Sequence, residues 1–160
     1  MPAQYKRVLL KLSGEVLTGD SDHPVDQVVL KRLVDEIKTV VEAGVQVAIV
    51  IGGGNICRGA TWEGLGLDRV TSDQIGMLAT VMNAMILRDA LVNAGQGATV
   101  FSAAAMLPIA VGFQRQLALN EMNAGNVAVL SAGTGNPLVT TDSAASLRGI
   151  ELGCDIVLKA

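Results

Sequence analysis

Val47-Ala48-Ile49-Val50-Ile51-Gly52-Gly53-Gly54-Asn55 is an unbroken apolar run that stops at three glycines and a small amide. Such a run, rich in β-branched residues, reads as a strand buried on both faces, the kind found in a parallel sheet covered by helices. The pattern recurs at Val127-Ala128-Val129-Leu130, which leads into Ser131-Ala132-Gly133-Thr134-Gly135-Asn136-Pro137. Open α/β sheets bind ligands at the carboxyl ends of their strands, and glycines there let backbone N–H groups come close to phosphate oxygens. The pair of corners predicts a site that holds phosphates.

Outward from these runs, short strands alternate with longer helices. Arg7 to Leu12 reads as the first strand. Val25, Val28, Val29, Leu33, Ile37, Val40 and Val41 recur at helical spacing up to Gly44, which stops the helix. Val45 to Ile51 is the next strand. Arg58 to Ser72 reads as irregular, followed by a helix from about Asp73 to Asn93 that Gly95 terminates. Ala98 to Phe101 is a strand, Gln114 to Asn123 a helix, and Val127 to Leu130 a strand. Ser143 to Leu152 is a helix with Thr141 or Asp142 at its N-cap, and Asp155 to Leu158 a closing strand. This alternation predicts an α/β fold: a three-layer αβα sandwich around a mainly parallel central sheet, formed by a single domain over residues 1–160. Ile156-Val157-Leu158 reads as a central strand whose end belongs to the binding edge, yet the sequence stops at Lys159-Ala160. The chain therefore reads as truncated at its C-terminus.

Composition bounds the classes of function. Half of the 160 residues are apolar and only 2% aromatic, an aliphatic palette suited to a parallel sheet under helices. A formal charge of -3 gives no general attraction to nucleic acid or to an anionic membrane, so an anion must be met by local groups. No long apolar stretch opens the sequence as in a signal peptide, and no window approaches the roughly 18 uninterrupted apolar residues of a span, so a cytoplasmic location is expected. Cys57 and Cys154 are too few and too far apart for a disulfide framework or a zinc site, and His23 has no partner at metal spacing. They read as small buried thiols and a solvated histidine.

The common phosphate-binding signatures are missing. No Gly-Lys pair occurs, which excludes the pattern G-x-x-x-x-G-K-[ST]. The dinucleotide fingerprint G-x-G-x-x-G, counted from Gly52, meets Cys57 where its third glycine should be. Charged residues beside the glycines supply a different set of parts. Lys11, in Lys11-Leu12-Ser13-Gly14, ends the first strand on the same edge as both glycine corners; Arg58 follows the first corner; Asp73 lies near a helix start and Asp142 follows Thr140-Thr141. Phosphoryl transfer needs cations to neutralise the equatorial oxygens, backbone donors to fix them and a carboxylate to orient the cations or a metal. Singly each group has a plainer reading, a solvated lysine or a helix-capping aspartate; together they point to one reaction centre.

Lys11-Leu12-Ser13-Gly14-Glu15, Val50-Ile51-Gly52-Gly53-Gly54-Asn55 with Arg58-Gly59, Asp73 with Gly76 to Asn83, Ser131 to Pro137, and Thr140-Thr141-Asp142-Ser143-Ala144-Ala145 together resemble the amino acid kinase family, in its bacterial branch that phosphorylates UMP. The match runs in order along nearly the whole chain. The resemblance implies transfer of the γ-phosphoryl group of ATP to UMP with Mg²⁺, giving UDP for pyrimidine nucleotide synthesis. By matching positions it implies that Lys11, Leu12, Ser13, Gly14, Gly54 and Arg58 meet the ATP phosphates. Gly53, Asp73, Thr134, Gly135, Asn136, Pro137, Leu138, Val139, Thr140 and Thr141 would hold UMP. Lys11, Arg58, Asp142 and Lys159 are the implied catalytic residues, with Asp142 organising the cations and Asp73 accepting from ribose hydroxyls. The acceptor is already an ionised phosphate oxygen, so alignment and charge neutralisation carry the reaction and no strong general base is required.

Relatives continue past Ala160 into the segment that holds adenine and ribose, so the C-terminal ATP-binding portion is expected to be absent here and the chain inactive alone. Kinship also implies a homohexamer, with GTP as activator and UTP as inhibitor; Asp20 to Asp26 only loosely resembles the stretch that serves GTP. The helix from Asp73 to Asn93 carries apolar residues on more than one face, which fits either a sandwiched core helix or a subunit contact. Two other functions stay open on residues alone: an amino acid kinase acting on a carboxylate, and a nucleotide-binding module without turnover.

Overall fold

Alternating side chains decide how this sheet is covered. β1 (Arg7–Leu12), β2 (Gln46–Ile51), β3 (Ala98–Ser102), β4 (Val111–Gly112), β5 (Val127–Ser131) and β6 (Ile156–Lys159) form one sheet in the order β4-β3-β5-β2-β1-β6, every neighbouring pair parallel. In β2, Val47, Ile49 and Ile51 face one side with Val8 and Leu12 of β1 and Val127 and Val129 of β5, while Ala48 and Val50 face the other with Leu9, Ala128 and Leu130. Both sides are dry, as the uninterrupted apolar runs require.

Among the described residues, four α-helices cover these two faces: α1 (Gln27–Glu42), α2 (Arg69–Asn93), α3 (Arg115–Asn123) and α4 (Thr141–Leu152). α1 and α2 pack on the first face through Leu33, Val34, Ile37, Ala84, Leu87 and Leu91; α3 and α4 pack on the second through Ala118, Leu119, Met122, Ala145 and Leu152. Direction and face are coupled. The connections through α1 and α2 step from β1 to β2 and from β2 to β3, toward the β4 side, whereas those through α3 and α4 step from β4 to β5 and from β5 to β6, the opposite way. One hand of crossover puts helices that travel in opposite directions on opposite faces. The result is the expected αβα sandwich. The computed structural model describes residues 3–20, 22–57 and 65–160.

Several boundaries differ from the sequence reading. α2 starts at Arg69 rather than Asp73, because Asp68 is its N-cap: the Asp68 carboxylate accepts from the Thr71 N–H at 3.1 Å and the Thr71 hydroxyl at 2.7 Å. Asp73 therefore lies one turn inside the helix. α4 starts at Thr141, capped by Thr140, whose hydroxyl accepts from the Ser143 N–H at 3.2 Å, so neither Thr141 nor Asp142 is the cap. β4 is a two-residue strand with no apolar signature. β6, expected in the middle of the sheet, pairs among the described residues with β1 alone, and Val157 and Leu158 stay partly exposed.

By length and apolar content α2 could cross a membrane, but here it is a core helix, with Ala84, Leu87 and Leu91 fully buried between α1 and the sheet. Leu87→Ala should destabilise the fold by about 2–5 kcal/mol, the usual cost of emptying a filled core position. Ile150→Ala, on the 81% exposed outer side of α4, should stay within about 0.5 kcal/mol. Urea unfolding of both variants checks the pair.

Candidate functional site

Because every strand runs the same way, β1, β2, β5 and β6 all deliver their carboxyl ends to one edge. β2 and β5 are neighbours whose following helices leave in opposite directions, one to each face. That switch point opens a crevice above the two strands, where such sheets bind ligands. A cavity of about 250 Å³ lies there, lined by Gly53, Gly54 and Cys57 after β2, by Arg69, Ser72, Asp73, Gly76, Met77 and Thr80 of α2, and by Gly133, Asn136, Leu138, Val139, Thr140 and Thr141 after β5.

The first corner is built by close approach. An added Cβ on Gly14 would lie 2.5 Å from the Asn55 Oδ1, 2.8 Å from the Gly54 N and 2.9 Å from the Gly52 carbonyl oxygen, so β1's exit can lie against β2's exit only with glycine there. At Gly53 a Cβ would come within 2.7 Å of the Ala79 Cβ and 3.0 Å of the Gly76 carbonyl. The sequence reading took Gly53 as a place for phosphate to approach; its missing side chain instead lets α2 press against the loop, while the residue still lines the cavity.

α2 then ties both corners down. Asn83, fully buried, donates from Nδ2 to the Gly52 carbonyl at 2.7 Å and to the Asn55 Oδ1 at 2.6 Å. Thr80, one turn earlier, accepts the Ala132 N–H at 2.8 Å and donates to the Met77 carbonyl at 2.6 Å. Asp73 reaches the second loop further along: one carboxylate oxygen accepts from the Leu138 N–H at 2.7 Å, the other from the Arg69 Nε at 3.0 Å. The aspartate expected to meet a ribose thus also shapes the wall of the cavity.

On the other face of the sheet lies a cluster of charge. Lys11 and Lys159 are register partners on β1 and β6, and by the alternation that points Leu9 at the α3/α4 layer both lysines point there too. The first turn of α4 sets Asp142 over them. One of its oxygens lies 2.9 Å from the Lys11 Nζ and the other 2.7 Å from the Lys159 Nζ. Hydrogen bonds from Lys159 and then Lys11 hold the Asp142 carboxyl down at about 2, well below the usual carboxylate range. Lys11 is 13% exposed and Lys159 67%, so the pair joins a sheltered ammonium to a solvated one.

The two halves meet at the start of α4. Thr140 and Thr141 line the cavity while the next residue, Asp142, holds the lysines. Of the residues expected at the acceptor, Gly53, Asp73, Asn136, Leu138, Val139, Thr140 and Thr141 line the cavity; Thr134, Gly135 and Pro137 belong to the loop behind it. Gly54 lines it from the donor set. Lys11, Ser13 and Gly14 stand at the exit of β1, next to the first corner. Leu12 stands there through its backbone: its side chain is buried in the core and its carbonyl accepts the Gly52 N–H at 2.9 Å. Arg58 lies outside the described residues. Cys154 is inert, since burial pushes its thiol up to about 11. Sequence reasoning gave no role to Thr80, Asn83, Asn55 or Arg69; the visible signal was a pair of polar residues, Thr80 and Asn83, inside an apolar helix.

The profile of the amino acid kinase family matches residues 6–160. The uridylate kinase of Coxiella burnetii is 52% identical over 156 residues, which cover 98% of this chain and 64% of that protein. That of Methylococcus capsulatus is 53% identical over 156 residues, covering 98% and 65%. Among solved structures, the UMP kinase of Bacillus anthracis superposes with a TM-score of 0.94 at 36% identity, covering 99% of this chain and 65% of that one. The uridylate kinase of Archaeoglobus fulgidus gives 0.68 at 28% identity, over 96% of this chain and 62% of that one. The chain thus spans a little under two thirds of the length of these relatives.

The depressed Asp142 predicts a pH dependence confined to acid. A carboxyl held below its ordinary value of 3.8 favours the fold above that value, and the contribution is lost as pH falls through about 2. A carbon-detected NMR titration should place the Asp142 midpoint near 2, and Lys159→Met should move it up toward 3.8. A midpoint that ignores the substitution would mean that the ion pair does not form in solution.

Proposed function

The chain belongs to the amino acid kinase family, and on that premise we propose that it carries the acceptor site and phosphate edge of an enzyme that transfers the γ-phosphoryl group of ATP to UMP, giving UDP and ADP. The observation that carries this reading is the start of α4, where Thr140 and Thr141 wall a nucleotide-sized cavity and Asp142 gathers two ammonium groups beside it. The high identity to proteins named uridylate kinase supports UMP over a carboxylate acceptor.

In this reading UMP occupies the cavity between α2 and the loop after β5. Asp73 faces its ribose, and Asn136, Thr140 and Thr141 offer hydroxyl and amide groups to its polar edges. Leu138 and Val139 give the base an aliphatic wall, in a chain with few aromatics to stack on. The ATP phosphates lie along Ser13, Gly14 and Gly54, with Lys11, Lys159 and Arg58 supplying positive charge. A UMP phosphate oxygen attacks the γ-phosphorus, the bond to the bridging β,γ oxygen breaks, and ADP leaves with that electron pair. Lys11 and Lys159 neutralise charge on the transferred group and the leaving oxygen. Asp142 keeps both ammonium groups aimed while the substrate is absent.

Mg²⁺ enters with the triphosphate. The donor set fits that route: both Asp142 oxygens are already held by ammonium groups, and among the described residues no cluster of three or more His, Cys, Asp and Glu could hold a metal. Mg²⁺ commonly binds through substrate phosphates with one or two carboxylates and keeps several waters. The metal supplies further neutralisation of the phosphate oxygens.

The proposal extends to a cytoplasmic enzyme of pyrimidine nucleotide synthesis that assembles as a homohexamer, activated by GTP and inhibited by UTP. For assembly the support is the outer side of α2, where Leu78 and Met82, one turn apart, are each about half exposed; for the effectors it is family resemblance alone.

The test is a coupled ADP-release assay on the full-length polypeptide with UMP, CMP, dTMP, acetylglutamate and aspartate. Release driven by UMP alone supports the reading, and release driven by an amino acid overturns it. In the same assay Lys11→Ala should lower kcat by about 10²- to 10³-fold, the scale of a lost transition-state charge partner. Asp73→Ala should raise KM for UMP more than it lowers kcat, since it removes a ligand contact and frees the Leu138 amide. The reverse split would move Asp73 into the chemistry.

A further inference from the structure

Among the described residues, Ala132 (φ 60°) and Leu138 (φ 66°) are the non-glycine positions in the left-handed region. Both lie in the loop after β5, and each gives its N–H to a side chain of α2: Ala132 to the Thr80 hydroxyl at 2.8 Å, Leu138 to the Asp73 carboxylate at 2.7 Å. An L-residue occupies that region at a cost and stays there only when its surroundings hold it. Ala132 is fully buried, and the next residue, Gly133, is left-handed as well, so the chain turns sharply as it leaves β5. The Gly135 N–H closes the turn on the Ala132 carbonyl at 2.9 Å.

Thr80 has the chemistry for this task. Its hydroxyl donates to the Met77 carbonyl of its own helix, which leaves a lone pair aimed at the Ala132 N–H, and the group is 5% exposed. The same helical turn presses against the first corner, where a Cβ at Gly53 would lie 3.0 Å from the Thr80 N. One residue therefore touches both corners.

We propose that Thr80 is a positioning residue for phosphoryl transfer: its hydroxyl locks Ala132 in a left-handed conformation and so fixes the second glycine corner, with the cavity wall it carries, at a set distance from the first. The inference rests on the reading of the cavity as the UMP site. Without the hydroxyl, Ala132 relaxes to negative φ and rotates the peptide that leads into Gly133. The acceptor wall then drifts while the core around β5 stays packed.

The experiment combines Thr80→Val, Thr80→Ser and Ala132→Gly on the full-length polypeptide. Calorimetric titration with UMP reads the site, amide hydrogen exchange reads the clamp, and a thermal melt checks folding. Thr80→Val keeps the shape and loses the acceptor that holds Ala132 in its strained conformation, so UMP should bind about tenfold more weakly or worse, the scale of the strain at one left-handed residue. Exchange at the Ala132 amide should accelerate by a similar factor, while the Leu138 amide, held by Asp73, keeps its protection. Thr80→Ser should restore both. Glycine takes a left-handed conformation without penalty, so in an Ala132→Gly background Thr80→Val should cost less than about threefold.

Equal losses of affinity in the two backgrounds, or no rescue by serine, would overturn the proposal and leave Thr80 an ordinary core residue. If the full-length parent does not take UMP, the reading of the cavity fails instead, and exchange still decides the clamp: unchanged Ala132 protection in Thr80→Val refutes it. Should Thr80→Val not fold, recovery of folding in the double variant supports the proposal, and failure of both refutes it.

Discussion

Three side chains of α2 hold the site together, and all three bond to the backbone of loops that the sheet alone would leave loose. Asn83 holds the Gly52 carbonyl, Thr80 the Ala132 amide and Asp73 the Leu138 amide. A parallel sheet fixes where strands end, but it cannot fix loops whose glycines tolerate many conformations. α2 can, because its buried stripe of Leu87, Leu91 and Ala84 anchors it against β2, β3 and β5, so its polar residues stand at a constant height over the edge. The spacing Gly76, Ala79, Thr80, Asn83 puts small and hydrogen-bonding residues on one face of that helix. Small residues allow contact and the polar ones make it specific.

How much of this was legible in the sequence follows from what leaves a periodic trace. Val47 to Ile51 and Val127 to Leu130 announced buried parallel strands, and both are near the centre of the sheet. The edges were harder. β4 is two residues long, too short for any period, and β6 looked central because its side chains are apolar, though apolarity reports burial and not position in the order. Helix starts slipped by one to four residues, since Asp68 and Asp73, or Thr140, Thr141 and Asp142, are all competent caps by type and only the folded geometry chooses among them.

The site followed the same division. Residues that end a strand, such as Lys11 and Gly53, were placed by topology alone, because a parallel sheet sends every strand end to one edge. The alternation along β1 sends the Leu12 side chain into the core while Lys11 points out to the other layer, so only the Leu12 backbone belongs to that edge. Thr80 and Asn83 stand out as polar residues in an apolar helix but were given no role, because their partners lie in loops far away in sequence and a local pattern does not say which atoms they meet.

Asp142 shows why an acidic residue belongs in a site meant for anions. Lys11 and Lys159 are direct neighbours on adjacent strands, where like charges destabilise a sheet. Without a counter-charge the solvated Lys159 would swing away from the sheltered Lys11, and an anion arriving later would have to gather them again. A carboxylate on the first turn of α4 holds both within 2.9 Å, at the end of a helix whose dipole favours negative charge there. Half-exposed, it holds them firmly enough to keep them aimed, yet too weakly to compete with the triphosphate of the proposed reaction. The aspartate thus keeps the two ammonium groups as a preorganised pair, which in the proposed reaction would neutralise charge without reorganisation at the moment of transfer.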